Sequence, residues 1–376
     1  MNRTRSPRRR SLVYFVSTRT AGGAQTGMVR LLDGLDPERW DVTVASVTSA
    51  DTDVGPELPD RAKRIDLDRR SPVRGPIALY RAVADADVLV CSLYHATIVG
   101  RLLSTLAGVS VVNWHHSVRF ANGLRERCYL ATAGLSDRIL ADSPAVATVL
   151  DESYGLGEKV STVPIAGIDL EEFRPTTHAA GDELRVVTVG SLVPAKRHRA
   201  VLEAARVLDE REGAPSVSVT IAGSGELAAD LRQRRDALGL QRVSLPGHVD
   251  DVPALLREHD IYLHTAAYEG LCLAALEAMA CELPVVSTRV GGPATYVEDG
   301  RSGYLLDEAD PHAIADAIRR LSDPDRRREF GGRGREIVEN GYSQAALVSA
   351  FESAIEACLD GNERERVDGR ARVEPS

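Results

Sequence analysis

The chain has 376 residues, enough for two α/β domains of ordinary size and more than one core holds comfortably. Hydrophobic residues make up 43% and charged residues 27%, a globular balance from which cores can be built. A formal net charge of −9 excludes a general nucleic-acid binder, which would carry a basic excess.

The start, MNRTRSPRRR, reads as a basic disordered leader over residues 1–10, although such an arm could also touch anionic lipid. The apolar stretch after it, SLVYFVST, is too short for a signal-peptide core or a membrane span. Short β-branched runs then alternate with helical patterns, which predicts parallel sheets covered by helices. Residues 11–170 supply strands at LVYFVS, WDVTVASV, KRIDL, DVLVCSL, SVVNW, DRILADS and VSTVPI. Helices are expected between them, including AQTGMVRLLDGL, RERCYLATAGL and SPAVATVLDESY, the last with Ser143 as N-cap and Pro144 at its first position.

Residues 171–183 are polar and aperiodic, with Pro175 and Gly181, and read as an interdomain linker. The alternation restarts over 184–340 with LRVVTVG, SVSVTIAG, RVSL, DIYLHTA, LPVVST and SGYLL as strands. Two Rossmann-like halves are the simplest account. The amphipathic run over 341–360 is long enough to pack across a domain boundary, and 361–376 reads as a disordered tail. The five cysteines (Cys91, Cys128, Cys272, Cys281, Cys358) show neither C-x-x-C pairs nor metal-ligand spacing, and their apolar neighbours predict buried thiols in a reducing compartment.

The densest chemistry lies between His264 and Leu306. The strand DIYLHTA is expected to end near Ala266 and a helix to begin near Leu271, which puts Glu269 in the intervening loop and Glu277 inside the helix. The amides of Gly270, Leu271, Cys272 and Leu273 should stand free at the helix start, an end that attracts phosphate or sugar hydroxyls. Ligands of open α/β sheets bind at the carboxyl ends of strands. Alone, two glutamates eight apart are more often surface coincidence in an acidic chain.

The surroundings change that. Glu269 and Glu277, followed by ELPVVST, GGPATYV and GRSGYLL, resemble the signature of family 4 retaining glycosyltransferases, which have the GT-B fold. There an E-x7-E pair precedes a G-x-P-V-V strand, a GG-x-x-E turn and G-x-x-G-x-L. The resemblance extends over nearly the whole chain. VGSLVPAKRH is similar to the loop whose lysine contacts the donor diphosphate, and Lys196 matches it; the chain has only two other lysines, Lys63 and Lys159. IAGSGEL resembles the G-x-G loop, with Gly223 and Gly225, which read equally as a tight turn. LPGHVDDVPALL resembles the loop that holds the base by backbone contacts, near His248 and Val249. In the first half TAGGAQTGMVRLL resembles the Gly-rich loop that faces the diphosphate across the cleft; Gly22 and Gly23 permit close approach and are equally a helix-start turn. VVNWHHSV resembles the strand ending in a histidine near the donor sugar, and the register fits His115 or His116. Strand alternation sends these two to opposite faces, which leaves one of them structural.

Four positions depart from the pattern. Ser191 stands where an arginine is frequent, with Arg197 available to substitute; Ala166 replaces an asparagine, Thr295 a glutamate and Cys272 a glycine. The resemblance implies transfer of a hexosyl-type group from a nucleotide-sugar donor to a glycan or lipid-linked acceptor, with retention, no cofactor and no metal. It also implies a cytoplasmic enzyme, peripheral at the inner face of the membrane through the N-terminal domain. Asp250–Asp251 falls where a helix cap is needed. Three alternatives share parts of this pattern. An epimerase of the same architecture would convert donor alone, a dehydrogenase would need a G-x-G-x-x-G after the first strand, and a non-catalytic nucleotide-sugar-binding protein would not need Glu269, Glu277 and Lys196.

Overall fold

The structure is a computed structural model that describes residues 9–20, 22–48, 57–67, 73–176, 183–211 and 216–371, with side chains to Gly361. It divides into two units, residues 1–167 with 344–376 and residues 168–343. The first holds a seven-stranded sheet built from β1 (Arg10–Thr18), β2 (Trp40–Thr48), β3 (Lys63–Asp66), β4 (Val88–Ser92), β5 (Ser110–His115), β6 (Arg138–Ala141) and β7 (Val160–Thr162), in the order β3-β2-β1-β4-β5-β6-β7. The second holds β8 (Glu183–Val189), β9 (Ser216–Ala222), β10 (Val243–Gly247), β11 (Ile261–His264), β12 (Val285–Thr288) and β13 (Gly303–Leu306), in the order β10-β9-β8-β11-β12-β13. Every pairing is parallel.

Parallel strands covered by helices on both faces must be apolar on both faces. Accordingly β4, β11 and β12 are buried at every residue. In each sheet the order reverses beside the first strand, between β1 and β4 and between β8 and β11. Loops that leave the carboxyl ends there diverge to opposite sides and open a crevice where such folds take ligands.

All thirteen strands lie where the β-branched runs place them, within a few residues. Caps behave as their side chains dictate. Ser143 Oγ accepts from the Val146 amide at 3.3 Å, and Asp251 Oδ1 from the Ala254 amide at 2.8 Å. The run SPAVATVLDESY departs from a single α-helix: the α-helix covers Pro144–Thr148 and a π-turn covers Val149–Ser153. The C-terminal helix, Gln344–Ala371, continues past residue 360, because Glu and Arg are good helix formers and a polar composition alone does not stop a helix. It packs on the helix Gly23–Gly34 and on β5, where Phe351 stacks on Trp114 at 5.7 Å. Of the expected linker, the described residues 171–176 are anchored in the second unit. Phe173 is buried there, and Arg335 Nη1 donates to its carbonyl at 3.1 Å.

A buried arginine and a half-buried ion pair fix the strands that matter. In the first unit Arg101 is fully buried without a carboxylate and donates to Asn113 Oδ1 (3.0 Å), Ser136 Oγ (2.8 Å), the Tyr129 carbonyl (2.8 Å) and Thr132 Oγ1 (2.9 Å). In the second, Arg185 at the start of β8 forks onto Asp260 just before β11, at 3.0 and 3.1 Å, and its amide donates to the same carboxylate at 2.8 Å. These hold together the strand pair that flanks the crevice.

Burial pushes the Asp260 carboxyl up, but its bonds from Arg185 outweigh this and hold it below the ordinary value. A carboxyl depressed in the folded state stabilises above its unfolded value, and that contribution is lost as pH falls through the folded value. Asp260→Asn should therefore lower stability by about 1–2 kcal/mol at neutral pH, with the difference shrinking in acid. Urea melts at neutral and acidic pH measure it; a pH-independent difference would show that the charge contributes nothing.

Candidate functional site

Apart from Glu277, which lies inside a helix, the expected donor-site residues of the second unit lie on loops or a helix start at the carboxyl edge of its sheet. Lys196 and Arg197 follow β8, Gly223 and Gly225 follow β9, Val249 follows β10, and Glu269 to Cys272 follow β11. The β8 and β9 loops pack backbone to backbone. A Cβ on Gly223 would lie 1.8 Å from the Gly190 carbonyl oxygen, and the Leu192 amide donates to the Ser224 carbonyl at 2.8 Å. These glycines are therefore required by loop packing. Val249 is half-buried, and the adjacent His248 is exposed and paired with Asp250 at 3.3 Å.

Lys196 Nζ donates to Glu269 Oε2, bridging the two loops that border the crevice. Glu269 Oε2 also faces His264 Nε2 at 3.3 Å, while Oε1 accepts from the Gly270 amide at 3.1 Å. His264 Nδ1 lies 3.1 Å from Ser287 Oγ, and the Ser287 hydroxyl donates to the Thr288 carbonyl at 2.8 Å. Burial would raise Glu269, but His264 and Lys196 overcome it and push the carboxyl down to about 2. Burial would lower His264, but Cys272 and Glu269 push it up to about 9. Lys196 follows the same logic: burial lowers it, and Cys272 with Glu269 hold it above its ordinary value. At neutral pH the cluster is thus a carboxylate between two cations.

The helix begins at Leu273 and runs to Ala280, two residues later than expected, and no side chain caps it. Its N-cap is Cys272, in the left-handed region at φ 64. The Gly270 amide is committed to Glu269 and does not stand free, which leaves the amides of the first turn, from Leu273, as the anion-attracting end. Glu277 lies in this helix, 8% exposed; burial raises Tyr262 and Cys281 nearby, and the Glu277 charge adds to both shifts. Tyr262 in turn donates to the Val189 carbonyl at the end of β8. The turn Gly291–Gly292 holds the Glu269 loop from the other side. A Cβ on Gly291, at φ 52, would lie 1.9 Å from the Glu269 carbonyl oxygen, and the Gly292 amide donates to the Gly270 carbonyl at 2.8 Å. Arg197, also left-handed at φ 53, is exposed, whereas Ser191 offers its carbonyl to His198 Nε2 at 3.3 Å.

In the first unit Gly22 is extended and begins the uncapped helix Gly23–Gly34 after β1. The two histidines part as strand alternation predicts. His115 packs its ring on Phe120 (5.3 Å) and Tyr129 (5.0 Å), and burial pushes it down to about 4. It is the structural one. His116 follows β5; its Nδ1 lies 2.8 Å from Asp142 Oδ2 and its Nε2 2.7 Å from Ser92 Oγ at the end of β4. A carboxylate only accepts, so Nδ1 carries a proton toward Asp142, and in the singly protonated ring Nε2 accepts from Ser92. The order matches a nucleophile–base–acid triad, but Ser92 is 1% exposed, so its hydroxyl orients the ring.

Three groups escaped the sequence reading. His264 stands five residues before Glu269 at a strand end, the signal that could have found it. Ser92 and Asp142 have no local signal, because parallel strands 24 and 26 residues from His116 bring them in. The spacing of the cysteines suggested no metal ligands, yet the ligand atoms of His264, Glu269 and Cys272 lie within 4.8 Å of one another.

Residues 169–337 match the family model of glycosyl transferases group 1, and residues 21–172 match that of glycosyltransferase family 4. The chain belongs to the family 4 glycosyltransferases. Its fold is GT-B: Anabaena HepE in complex with UDP superposes with a TM-score of 0.79 at 18% identity, covering 92% of this chain and 100% of that one. Sucrose-phosphate synthase from Thermosynechococcus elongatus gives 0.79 at 20% identity, covering 94% and 100%. In sequence the chain is 27% identical over 305 residues to D-inositol 3-phosphate glycosyltransferase of Arthrobacter sp. (strain FB24), 73% of this chain and 72% of that protein. It is likewise 27% identical over 270 residues to the Escherichia coli UDP-Gal:alpha-D-GlcNAc-diphosphoundecaprenol alpha-1,3-galactosyltransferase, 66% and 70%. Like its relatives it is a glycosyltransferase with a nucleotide-sugar donor.

The His116 geometry of this glycosyltransferase is open to direct observation. Proton NMR should show an imidazole Nδ1 proton protected from exchange in the wild type and absent in Asp142→Ala. Loss of this bond should cost about 1.5–3 kcal/mol of stability. A protected proton that survives in Asp142→Ala would place it elsewhere.

Proposed function

We propose that the protein transfers a hexosyl group from a uridine diphosphate sugar to a lipid-linked glycan, with retention of configuration and without a metal or other cofactor. The observation that carries this is the Lys196–Glu269–His264 cluster beside the uncapped start of the helix Leu273–Ala280. Uridine is supported by HepE, crystallised with UDP and with UDP-glucose, and by the UDP-Gal in the name of the E. coli relative. That relative's name also supports a diphospholipid-linked acceptor.

Breaking the bond between the anomeric carbon and the diphosphate leaves charge on the leaving oxygen. Lys196 and the amides of the helix start meet that charge in a partly buried site, where such donors act most strongly. Lys196 must then exchange its bond to Glu269 for one to phosphate, which frees the carboxylate to accept two sugar hydroxyls. In the second unit Glu277 takes the ribose hydroxyls, Arg197 the diphosphate, and the Val249 loop the base. Retention follows if the new bond forms on the face the leaving group vacates.

Ribose contacts are alike in ground and transition states, so Glu277→Ala should mainly raise KM and weaken UDP binding. The sugar changes shape and charge, so Glu269→Ala should mainly lower kcat while UDP affinity stays within about threefold. Calorimetry and sugar transfer in excess chelator measure both. Loss of UDP affinity in Glu269→Ala but not Glu277→Ala would reverse the roles; a metal requirement would remove the metal-free chemistry.

A peripheral place at the membrane is supported by the adjacent helices Arg74–Ala84, Tyr94–Ala107 and Gly123–Ala133. Ile77, Tyr80, Val99, Leu102, Leu106 and Leu124 on them are 43–76% exposed. The helix Tyr94–Ala107 has no acidic residue, and its one arginine, Arg101, is buried. No described helix is long and apolar enough to cross a membrane. An apolar face flanked by the exposed Arg81 and Arg127 suits the surface of an anionic bilayer. Sedimentation with phosphatidylglycerol vesicles should carry the wild type down, and the double substitution Leu102→Glu, Leu106→Glu should weaken this at least fivefold. Equal sedimentation of the two would remove the face from membrane contact.

A further inference from the structure

We propose that His264, Glu269 and Cys272 form a binding site for a soft divalent cation, zinc foremost, and that an ion held there shuts the donor pocket. The second half rests on the reading of Glu269 as a donor-sugar ligand; the first does not. The three ligand atoms lie within 4.8 Å of one another. A thiolate, an imidazole and a carboxylate with an open fourth position form an accepted zinc set, and the sulfur favours soft ions over magnesium or calcium.

The surroundings are built as ligand supports are built. The Ser287 hydroxyl donates to the Thr288 carbonyl, so its oxygen accepts from His264 Nδ1. That leaves Nε2, the nitrogen facing Glu269, as the ring's lone-pair atom once the ring is neutral. The Gly270 amide holds the Glu269 carboxylate through Oε1, leaving Oε2 toward the imidazole. Cys272 is 9% exposed, and its left-handed backbone at φ 64 fixes where the side chain leaves the chain. All three ligands belong to one short segment, spaced H-x4-E-x2-C, between β11 and the following helix.

Lys196 opposes the ion, because its ammonium pairs with the same Glu269 oxygen. Binding must therefore displace Lys196 from Glu269. An ion in this place occupies the carboxylate that should hold the sugar and sets a dication beside the lysine that should meet the diphosphate. Cys272 supplies the third ligand. A glycine at that position, the residue the family pattern has there, leaves two ligands.

The test uses the full chain with cobalt(II) as a spectroscopic stand-in, then zinc. The wild type should show a near-ultraviolet thiolate-to-cobalt band at one ion per chain, abolished by zinc. Cys272→Gly and Cys272→Ser should lose the band, although Cys91, Cys128, Cys281 and Cys358 remain. Zinc affinity, read by competition with a chromogenic chelator, should fall about tenfold in Ser287→Ala, as for loss of a supporting partner, and further in Cys272→Ser. For activity, each enzyme is compared with its own zinc-free rate. That ratio should drop at least tenfold in the wild type and stay near one in Cys272→Gly. A folded wild type without the band, or a Cys272→Gly protein that keeps it, overturns the site. A band with an unchanged rate ratio overturns the shutting. If no donor is used by any variant, the functional reading fails while the band still decides the site.

Discussion

The ion pair between Lys196 and Glu269 is the constraint around which the second unit is organised. Two charges taken partly out of water are tolerated only when paired and hydrogen-bonded. Here His264, the Gly270 amide and Ser287 complete the pairing, and the strands that bring these groups together are locked at their far ends by Arg185 and Asp260. The Gly291–Gly292 turn closes against the Glu269 backbone so tightly that no side chain fits. A cluster supported this way is preorganised: it holds cations and free amides together without help from a ligand. Phosphate is the group that such an arrangement favours.

The first unit solves a related problem differently. Its polar centre has no lysine; instead His116 is suspended between a carboxylate and a hydroxyl from neighbouring strands. Arg101, buried behind them, bonds Asn113 on the same strand that leads into His115 and His116. The strand that leads into the histidine is thus held by a buried arginine that donates to neutral acceptors. The adjacent His115, neutral and wedged among aromatic rings, anchors the strand end. Adjacent residues of one type serve opposite ends because a strand turns alternate side chains to opposite faces.

Much of this was legible in the sequence. Short β-branched runs alternating with helical patterns read as buried parallel strands, and their order with intervening helices left few topologies. The spacing of Glu269, Glu277 and Lys196 against known patterns pointed to the carboxyl edge of the second sheet, and the structure brings Lys196 and Glu269 together there. What stayed hidden was whatever depends on contact between strands distant in the chain: Ser92 and Asp142 on His116, Ser136 on Arg101, Ser287 on His264. No periodicity encodes such contacts. The helix start was misplaced by two residues for a local reason. Apolar Leu271 and Cys272 fit a helical pattern, but the Glu269 carboxylate captures the Gly270 amide and the chain turns left-handed at Cys272 before the helix can begin.

Cys272 shows how one substitution changes a site without disturbing its frame. A left-handed N-cap is natural for glycine and strained for other residues, by roughly 1 kcal/mol or more. The chain accepts that strain and keeps the conformation, because the Tyr296 hydroxyl donates to the carbonyls of both Leu271 and Cys272, at 3.0 and 3.1 Å. With the backbone held, the new side chain has one direction to take. It adds a polarizable sulfur to a carboxylate and an imidazole. The glutamate, the imidazole and the lysine form the frame, and the residue at the helix cap changes which atoms face it.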